Sequence, residues 1–299
     1  MNTAEYRFDG QVALVTGSGA GLELAHARLL AERGAQVVIN DISTADDGRP
    51  LADVVSEQLR DEGLTAVSAT GNVGVETEAI GLVRQTVDTF GRIDILVNNA
   101  GAGGSGSAQE VSTQTFAETL NMHLFGTFWT MQEALRHMRG QGHGRIVNTT
   151  SALGVFGAPD SVPYVTAKAG VVGLTKAASL DNRDLDIRIN ALAPVAATGY
   201  AKAYFENHPD LDLRYLQASI VSPVVAYLSH GSCELTCQTL AAGGGRAALL
   251  FSAAVPGLSS RTLSIEEVAA GLDQVTDAEG FRILDSSVEQ YGLLPRFND

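Results

Sequence analysis

Short runs of aliphatic and β-branched residues alternate with longer segments of helical periodicity along most of this 299-residue chain. Residues 11–16, 35–40, 65–69, 93–97, 145–150 and 187–192 have the length and composition of buried strands. Between them, residues 24–33, 51–62, 76–90, 112–138 and 161–180 have helical spacing, with Ile80, Val83 and Val87 on one face of the third. Either Ser112 or Thr113 can cap the fourth. Strand–helix alternation leaves few solutions. The strands run parallel, and the helices cover both faces of the sheet. The expected fold class is therefore α/β, with a doubly wound parallel sheet in a three-layer α/β/α, Rossmann-like arrangement. Composition agrees: 45% of residues are hydrophobic but only 6% aromatic, and 32 are glycine, which suits helices laid closely on a sheet.

Ligands of such sheets lie beyond the carboxyl ends of the strands. The polar and glycine-rich segments of this chain fall there. The first strand runs into Thr16-Gly17-Ser18-Gly19-Ala20-Gly21-Leu22-Glu23 and then a helix. Glycines let a backbone approach a pyrophosphate, and a helix N-terminus offers free N–H groups and a positive dipole end. The second strand ends at Asp41, about twenty residues on, where a carboxylate accepts hydrogen bonds from an adenosine ribose and repels a 2′-phosphate. Ile42 and Ser43 carry no guanidinium to welcome one. NAD is expected over NADP. Asn72 and Val73 follow the third strand and could frame an adenine edge. Asn98-Asn99-Ala100-Gly101 follow the fourth, Ser151 the fifth and Pro194 the sixth, which Pro194 is expected to interrupt.

Tyr164 and Lys168 stand four apart in a helical segment, so phenol and ammonium share a face. A phenol titrates near pH ~10, and a neighbouring cation favours phenolate, which brings the tyrosine towards use as a base. Ser151, on the turn before that helix, can hold a substrate oxygen beside the phenol.

From about residue 8 to 245 the chain resembles the short-chain dehydrogenase/reductase family. The resemblance rests on Thr16-Gly17-x-x-x-Gly21, Asp41, Asn98-Asn99-Ala100-Gly101, Ser151 and Tyr164-x-x-x-Lys168. It implies an NAD-dependent enzyme that moves a hydride between the cofactor and a secondary alcohol or ketone. Tyr164 would be its acid/base, Ser151 would polarise the substrate oxygen, and Lys168 would hold the nicotinamide ribose and lower the phenol's pKa. Cofactor contacts would come from Gly17, Ser18, Gly19, Gly21, Leu22, Asp41, Asn72, Val73, Asn99, Ala100, Gly101, Tyr164, Lys168, Pro194 and Thr198. Subunit contacts along residues 113–138 and 161–180 would make a homodimer or homotetramer. Val38-Ile39-Asn40-Asp41, Met122-His123-Leu124-Phe125-Gly126 and residues 225–234 look further like the 3-hydroxyacyl-CoA dehydrogenase region of type 2 peroxisomal multifunctional enzymes and their bacterial relatives. That likeness implies a 3-hydroxyacyl-CoA or hydroxysteroid substrate, and puts His123 among the catalytic residues. The chain departs from the family in three places. Glu23 replaces a glycine, where it would add bulk and repel a pyrophosphate. His123 stands where many members have asparagine. Pro194-Val195 replaces Pro-Gly.

A net charge of −14 argues against nucleic acid and anionic membrane as partners. Cys233 and Cys237 lack the companions of a metal site, so no metal is expected. The first ten residues have no apolar signal core and the last three match no known address, so a cytoplasmic protein is expected. Residues 201–217, with Tyr204, Phe205, His208 and Tyr215, could form a substrate lid. A helix is expected over 222–228 with Pro223 near its start, and a last core strand over 235–241. The expected organisation is a dinucleotide-binding catalytic domain over 1–245 with a C-terminal extension over 246–299 packed on it. Within the extension, 247–251 suggest a strand, and Ser264 with Glu266 and Glu267 opens a helix. Two other readings stay open: a binding or assembly protein on the same scaffold that has lost cofactor through Glu23, and a ketoreductase of secondary metabolism.

Overall fold

The structure is a computed structural model and describes residues 5–198, 202, 205, 207, 212–284 and 286–295. Met1–Leu249 and Leu250–Asp299 form two compact units. The first is built on β1 (Val12–Val15), β2 (Gln36–Asn40), β3 (Ala66–Ala69), β4 (Ile95–Asn98), β5 (His143–Thr149), β6 (Asp186–Val195), β7 (Thr239–Gly243) and β8 (Arg246–Leu250). Their order in one sheet is β3-β2-β1-β4-β5-β6-β7-β8, and every pair from β3 to β7 is parallel. The order reverses between β1 and β4, which opens a crevice at their carboxyl ends. All four residues of β1 and of β4 are buried, as strands covered on both faces require.

The helices are α1 (Gly21–Glu32), α2 (Leu51–Asp61), α3 (Glu76–Phe90), α4 (Thr113–Leu120), α5 (Gly126–Gln141), α6 (Ala152–Phe156), α7 (Val162–Asp181) and α8 (Ala218–Ser229). One core cluster joins α1, α2 and α8 to the sheet through Ala27, Leu30, Val55, Leu59, Val221 and Val225. A second joins α3 and α5 through Leu82, Val83, Met131, Ala134 and Met138. The helices come close because small residues face the contacts. A Cβ added at Gly154 would lie 2.7 Å from the backbone of Lys168, so α6 lies hard against α7.

Four expectations change. The long fourth helix is not uniform: between α4 and α5, Asn121–Phe125 form a π-helical turn. Ser112 caps its start, accepting from the Thr115 N–H at 3.0 Å. Pro194 does not interrupt β6. The strand runs on to Val195 with Pro194 opposite Ala242, because parallel pairing demands no N–H from that residue here. Pro223 lies inside α8 rather than at its start, since the helix begins a turn earlier at Ala218. The last core strand is Thr239–Gly243, later than expected.

The second unit has an antiparallel pair, Ala253–Ala254 with Arg282–Ile283, and short helices Ile265–Ala270 and Leu272–Thr276. Ser264 and Glu267 form a reciprocal capping box at the first of them.

Candidate active site

The glycine turn is held by its neighbours at the switch point. The Gly17 N–H donates to Asn40 Oδ1 at 3.3 Å and the Ser18 N–H to the Asn40 carbonyl at 2.6 Å. The Gly19 N–H donates to Asp41 Oδ2 at 3.0 Å. Gly17 has φ +75°, and a Cβ there would lie 2.8 Å from Ala100 Cα, so the turn passes directly against the segment after β4. Gly21 has φ +63° and is exposed, with Glu23 and Thr198 within reach of an added Cβ. Two residues expected among the cofactor contacts turn inward. The Ser18 hydroxyl donates to the Val15 carbonyl at 2.8 Å, and Leu22 joins the core, so both shape the turn from behind. Asp41 also accepts from the Ser43 N–H at 2.7 Å, and a carboxylate keeps lone pairs for a further donor.

Beyond β3, Val73 is buried and its carbonyl would meet a Cβ on Gly126 at 2.7 Å. Asn72 spends its side-chain oxygen on the Gly74 N–H, at 2.9 Å. A cavity of about 440 Å³ adjoins it, lined by Asn72, Gly74, Ala102, Thr119 and Met122 among others. After β4, the N–H groups of Asn99 and Ala100 both donate to Thr16 Oγ1 at 3.1 Å. This fixes the segment to the end of β1.

Asn99 is the hub. Its side-chain NH2 donates to Glu23 and its oxygen accepts from the Thr149 hydroxyl. The Thr149 carbonyl in turn accepts from Lys168 Nζ at 2.7 Å. One chain of bonds thus joins the glycine turn to the Tyr164–Lys168 helix. Thr16 and Thr149 carry this geometry and were not among the expected site residues; a threonine ending each of two strands beside a glycine or serine turn is the signal they left in the sequence.

Lys168 is almost wholly buried, and its Nζ lies 5.7 Å from the Tyr164 ring centre. Burial lowers its pKa to about 8, against the pull of Glu23. Tyr164 departs from expectation. Its pKa is raised, because burial outweighs a hydrogen bond with Ser151 that acts to lower it. The ammonium alone does not bring this phenol into the basic range. Ser151 also caps α6, accepting from the Leu153 N–H at 3.2 Å.

His123 occupies the π turn, the kind of helical irregularity that often marks a functional site. Its ring meets the Tyr164 ring edge-on, 5.1 Å between centres. Nε2 is 2.5 Å from the Ala102 carbonyl, while Nδ1 is buried without a partner among the described residues. Burial and then Lys168 push its pKa down to about 4, so the ring is neutral at pH 7. A Cβ on Gly101 would lie 2.3 Å from the ring, which explains the glycine. Pro194 lies at the end of β6, and Thr198, half-buried, donates its N–H to the Ala196 carbonyl at 2.9 Å beside Gly21. Of the expected lid, Tyr204 and His208 lie outside the described residues; Tyr215 is exposed on the 3-10 turn Leu213–Tyr215.

The residues suit a nicotinamide dinucleotide. An open left-handed glycine begins a helix, a carboxylate follows β2, and a partly partnered lysine lies beneath a tyrosine. Glu23 alone conflicts. Half-buried in the first turn of α1, it has its pKa raised to about 7, mainly by burial. Among the described residues, no group of three or more histidine, cysteine or acidic side chains could hold a metal ion. No helix among them is long and apolar enough to cross a membrane.

Residues 11–208 match the family model described as short chain dehydrogenase. The chain is 34% identical over 297 residues to the peroxisomal multifunctional enzyme type 2 of Drosophila melanogaster, covering 96% of this chain and 49% of that enzyme. It therefore spans about half that relative's length. It is 42% identical over 184 residues to the hydroxy(phenyl)methylsuccinyl-CoA dehydrogenase subunit BbsD of Thauera aromatica, covering 62% of this chain and 72% of that one. Among solved structures, a short chain dehydrogenase from Mycobacterium avium superimposes with a TM-score of 0.79 at 31% identity, covering 90% of this chain and 96% of that one.

Proposed function

The chain belongs to the short chain dehydrogenase family and is an oxidoreductase of that family, and from this premise we propose an NAD-dependent dehydrogenase acting on a secondary alcohol, with a 3-hydroxyacyl-CoA as the leading substrate class and a hydroxysteroid as the second. The observation that carries the proposal is the bonded chain from Glu23 through Asn99 and Thr149 to Lys168, with Tyr164 and Ser151 above it. It supports a reading in which a dinucleotide cradle and an acid/base pair share one crevice. The dinucleotide, when bound, accepts or supplies the hydride.

The protein's own part is binding and proton handling. Gly21 and the N-terminus of α1 would face the pyrophosphate, Asp41 the adenosine ribose, Val73 and the Asn72 amide the adenine, and Lys168 the second ribose. Gly101, Pro194 and Thr198 would border the nicotinamide end. Ser151 would hold the substrate oxygen, and Tyr164 would exchange a proton with it. With its pKa raised, the phenol is protonated, the form that donates to a ketone oxygen. For alcohol oxidation it must lose that proton, and Lys168, with donors to spare, is the cation that can help. Neutral His123 would orient the phenol ring from its edge.

NAD is favoured because Asp41 meets the ribose end, and Arg49, the cation in the following loop, is taken by Asp47 and Glu57. The name of the Thauera aromatica relative, a dehydrogenase of a hydroxylated acyl-CoA, supports the substrate class. Phe125 and Phe128 are exposed near Trp129 and support a homodimer or homotetramer through α4 and α5. A cytoplasmic location fits Cys233, a buried free thiol. Titration with NADH and NADPH tests the reading. NADH should bind at least about tenfold tighter, worth ~1.4 kcal/mol. Equal affinities would remove Asp41 from its role, and saturable binding of neither would remove the cofactor.

A further inference from the structure

Glu23 is the third residue of α1, directly after the glycine turn. A Cβ on Gly21 would lie 3.3 Å from Glu23 Oε2, so the carboxyl group lies over the turn itself. Asn99 holds it there. A glycine-rich turn leading into a helix N-terminus is where a pyrophosphate docks in this fold. Ligand phosphates and the carboxyl group thus compete for one region, and their compatibility depends on a proton. Protonated, Glu23 can donate a hydrogen bond to a phosphate oxygen. Ionised, it places like charge against like in a partly buried site.

We propose that Glu23 is a proton-operated gate on dinucleotide binding, closed when its carboxyl group is ionised and open when it is protonated. The inference rests on the nicotinamide dinucleotide reading above. The Glu23 pKa is raised to about 7: burial chiefly, and Asp41 to a lesser degree, push it up, while a backbone hydrogen bond, Asn99 and Lys168 act the other way. The gate therefore works within the neutral range. A bound pyrophosphate, being anionic, raises that pKa again. Binding above pH 7 then takes up a proton, and the affinity must fall as pH rises.

Two charged groups among the described residues act on Glu23. Asp41 comes from the end of β2 and Lys168 from α7. Lys168 titrates nearby, with a pKa of about 8, and Tyr164 above it is shifted upward. His123 has a pKa of about 4 and leaves the window. Within α1, His26 bonds to Ser222 of α8 at 2.8 Å and is held at about 3. The titratable side chain of α8, Tyr227, packs against Tyr6 instead. Lys168 is thus the competing source of a pH response, and substitution of Glu23 separates the two.

The test is NADH titration of the full chain from pH 6 to 9, for the parent, Glu23→Gln and Glu23→Gly. Calorimetry at pH 8 in two buffers of different ionisation enthalpy counts the protons taken up. The parent Kd should rise by up to about tenfold per pH unit above pH 7, with uptake approaching one proton per NADH. Both variants should bind more tightly than the parent at pH 8 and vary by less than about threefold across the range. A parent that binds with flat pH dependence overturns the gate and leaves the dinucleotide reading intact. A slope that persists in both variants assigns the response to Lys168 and also overturns it. No saturable binding by any of the three proteins, with NADH or NADPH, overturns the dinucleotide reading and the gate with it.

Discussion

At the amino ends of the strands, Arg145 is buried to 1% exposure, yet all of its nitrogens have acceptors. Nε donates to the His230 carbonyl, Nη1 to the carbonyls of Gly144 and Asp186, and Nη2 to Asp186 Oδ1 and the Gly231 carbonyl. At the carboxyl ends, Lys168 is buried almost as deeply, and its ammonium donates to the Thr149 carbonyl alone among the described residues. Its pKa falls towards neutrality, while that of Glu23 rises to meet it. Burying a charge is costly unless partners replace water. Arg145 has those partners inside the protein, so its charge ties β5, β6 and the segment after α8 together. Lys168 and Glu23 lack a full set. Groups left in that condition in a crevice are candidates for chemistry on a ligand.

The comparison breaks most sharply at Tyr164. Tyr164→Phe keeps the ring against His123 and removes the proton. Turnover should fall at least about 10³-fold while the NADH Kd changes by less than about threefold. Steady-state rates and a binding titration check both halves, and substantial residual turnover would take the phenol out of the mechanism. At the other end of the sheet the pattern inverts. Arg145→Ala takes the guanidinium from Asp186 Oδ1 and from several carbonyls and should cost about 3–5 kcal/mol in urea unfolding, with kcat per folded molecule unchanged. A stable variant with altered kcat would mean that the two ends are not separate in role.

Stability against pH sharpens the contrast. His123 has a folded pKa of about 4, below its ordinary 6.5, so the unfolded chain takes up that proton first as pH falls. Its share of stability is complete above pH 6.5 and is lost as pH falls towards 4, up to about 3 kcal/mol. His123→Gln can keep a donor to Ala102 and should show a shallower acid loss in unfolding curves at pH 4 and 7. An unchanged curve would place the acid response elsewhere. Glu23 has the opposite sign. Its folded pKa lies above 4.5, so the folded chain holds the proton more firmly, and ionisation costs stability as pH rises from 4.5 through about 7. Glu23→Gln should therefore raise the unfolding midpoint at pH 8, by about 1–2 kcal/mol of stability, and leave it unchanged near pH 5. A gain of equal size at both would point to packing instead.

Much of the frame was legible because it is written in local terms. The α3 limits coincide with those read from periodicity, and most strands of the parallel sheet up to β6 fall within two residues of expectation. Asp41, Ser151 and the Tyr164–Lys168 step announce themselves through residue type and spacing. What escaped depends on contacts distant in sequence. The π turn at Asn121–Phe125 has no propensity signal; it accompanies the close approach of Gly126 to Val73. Glu23 reads as a charge in a helix's first turn, which normally lowers a carboxyl pKa. Its burial beside Asn99 reverses that, and Asn99 is 76 residues away. The raised pKa of Tyr164 escaped for the same reason, since desolvation belongs to the folded crevice and not to the four-residue step. Pro223 looked like a helix start because local preference says so, yet α8 begins at Ala218 and packs on α1 through the buried His26–Ser222 bond.

The proposed chemistry is hydride transfer at the carboxyl end of the sheet. Its most direct test is to mix the protein with NAD and a 3-hydroxyacyl-CoA deuterated at the carbinol carbon, and to follow the label by mass spectrometry. Deuterium should arrive in NADH, one per ketone formed, and should not arrive with Tyr164→Phe. Ketone formation with the label lost to water, or equal transfer by the Tyr164→Phe protein, would contradict it.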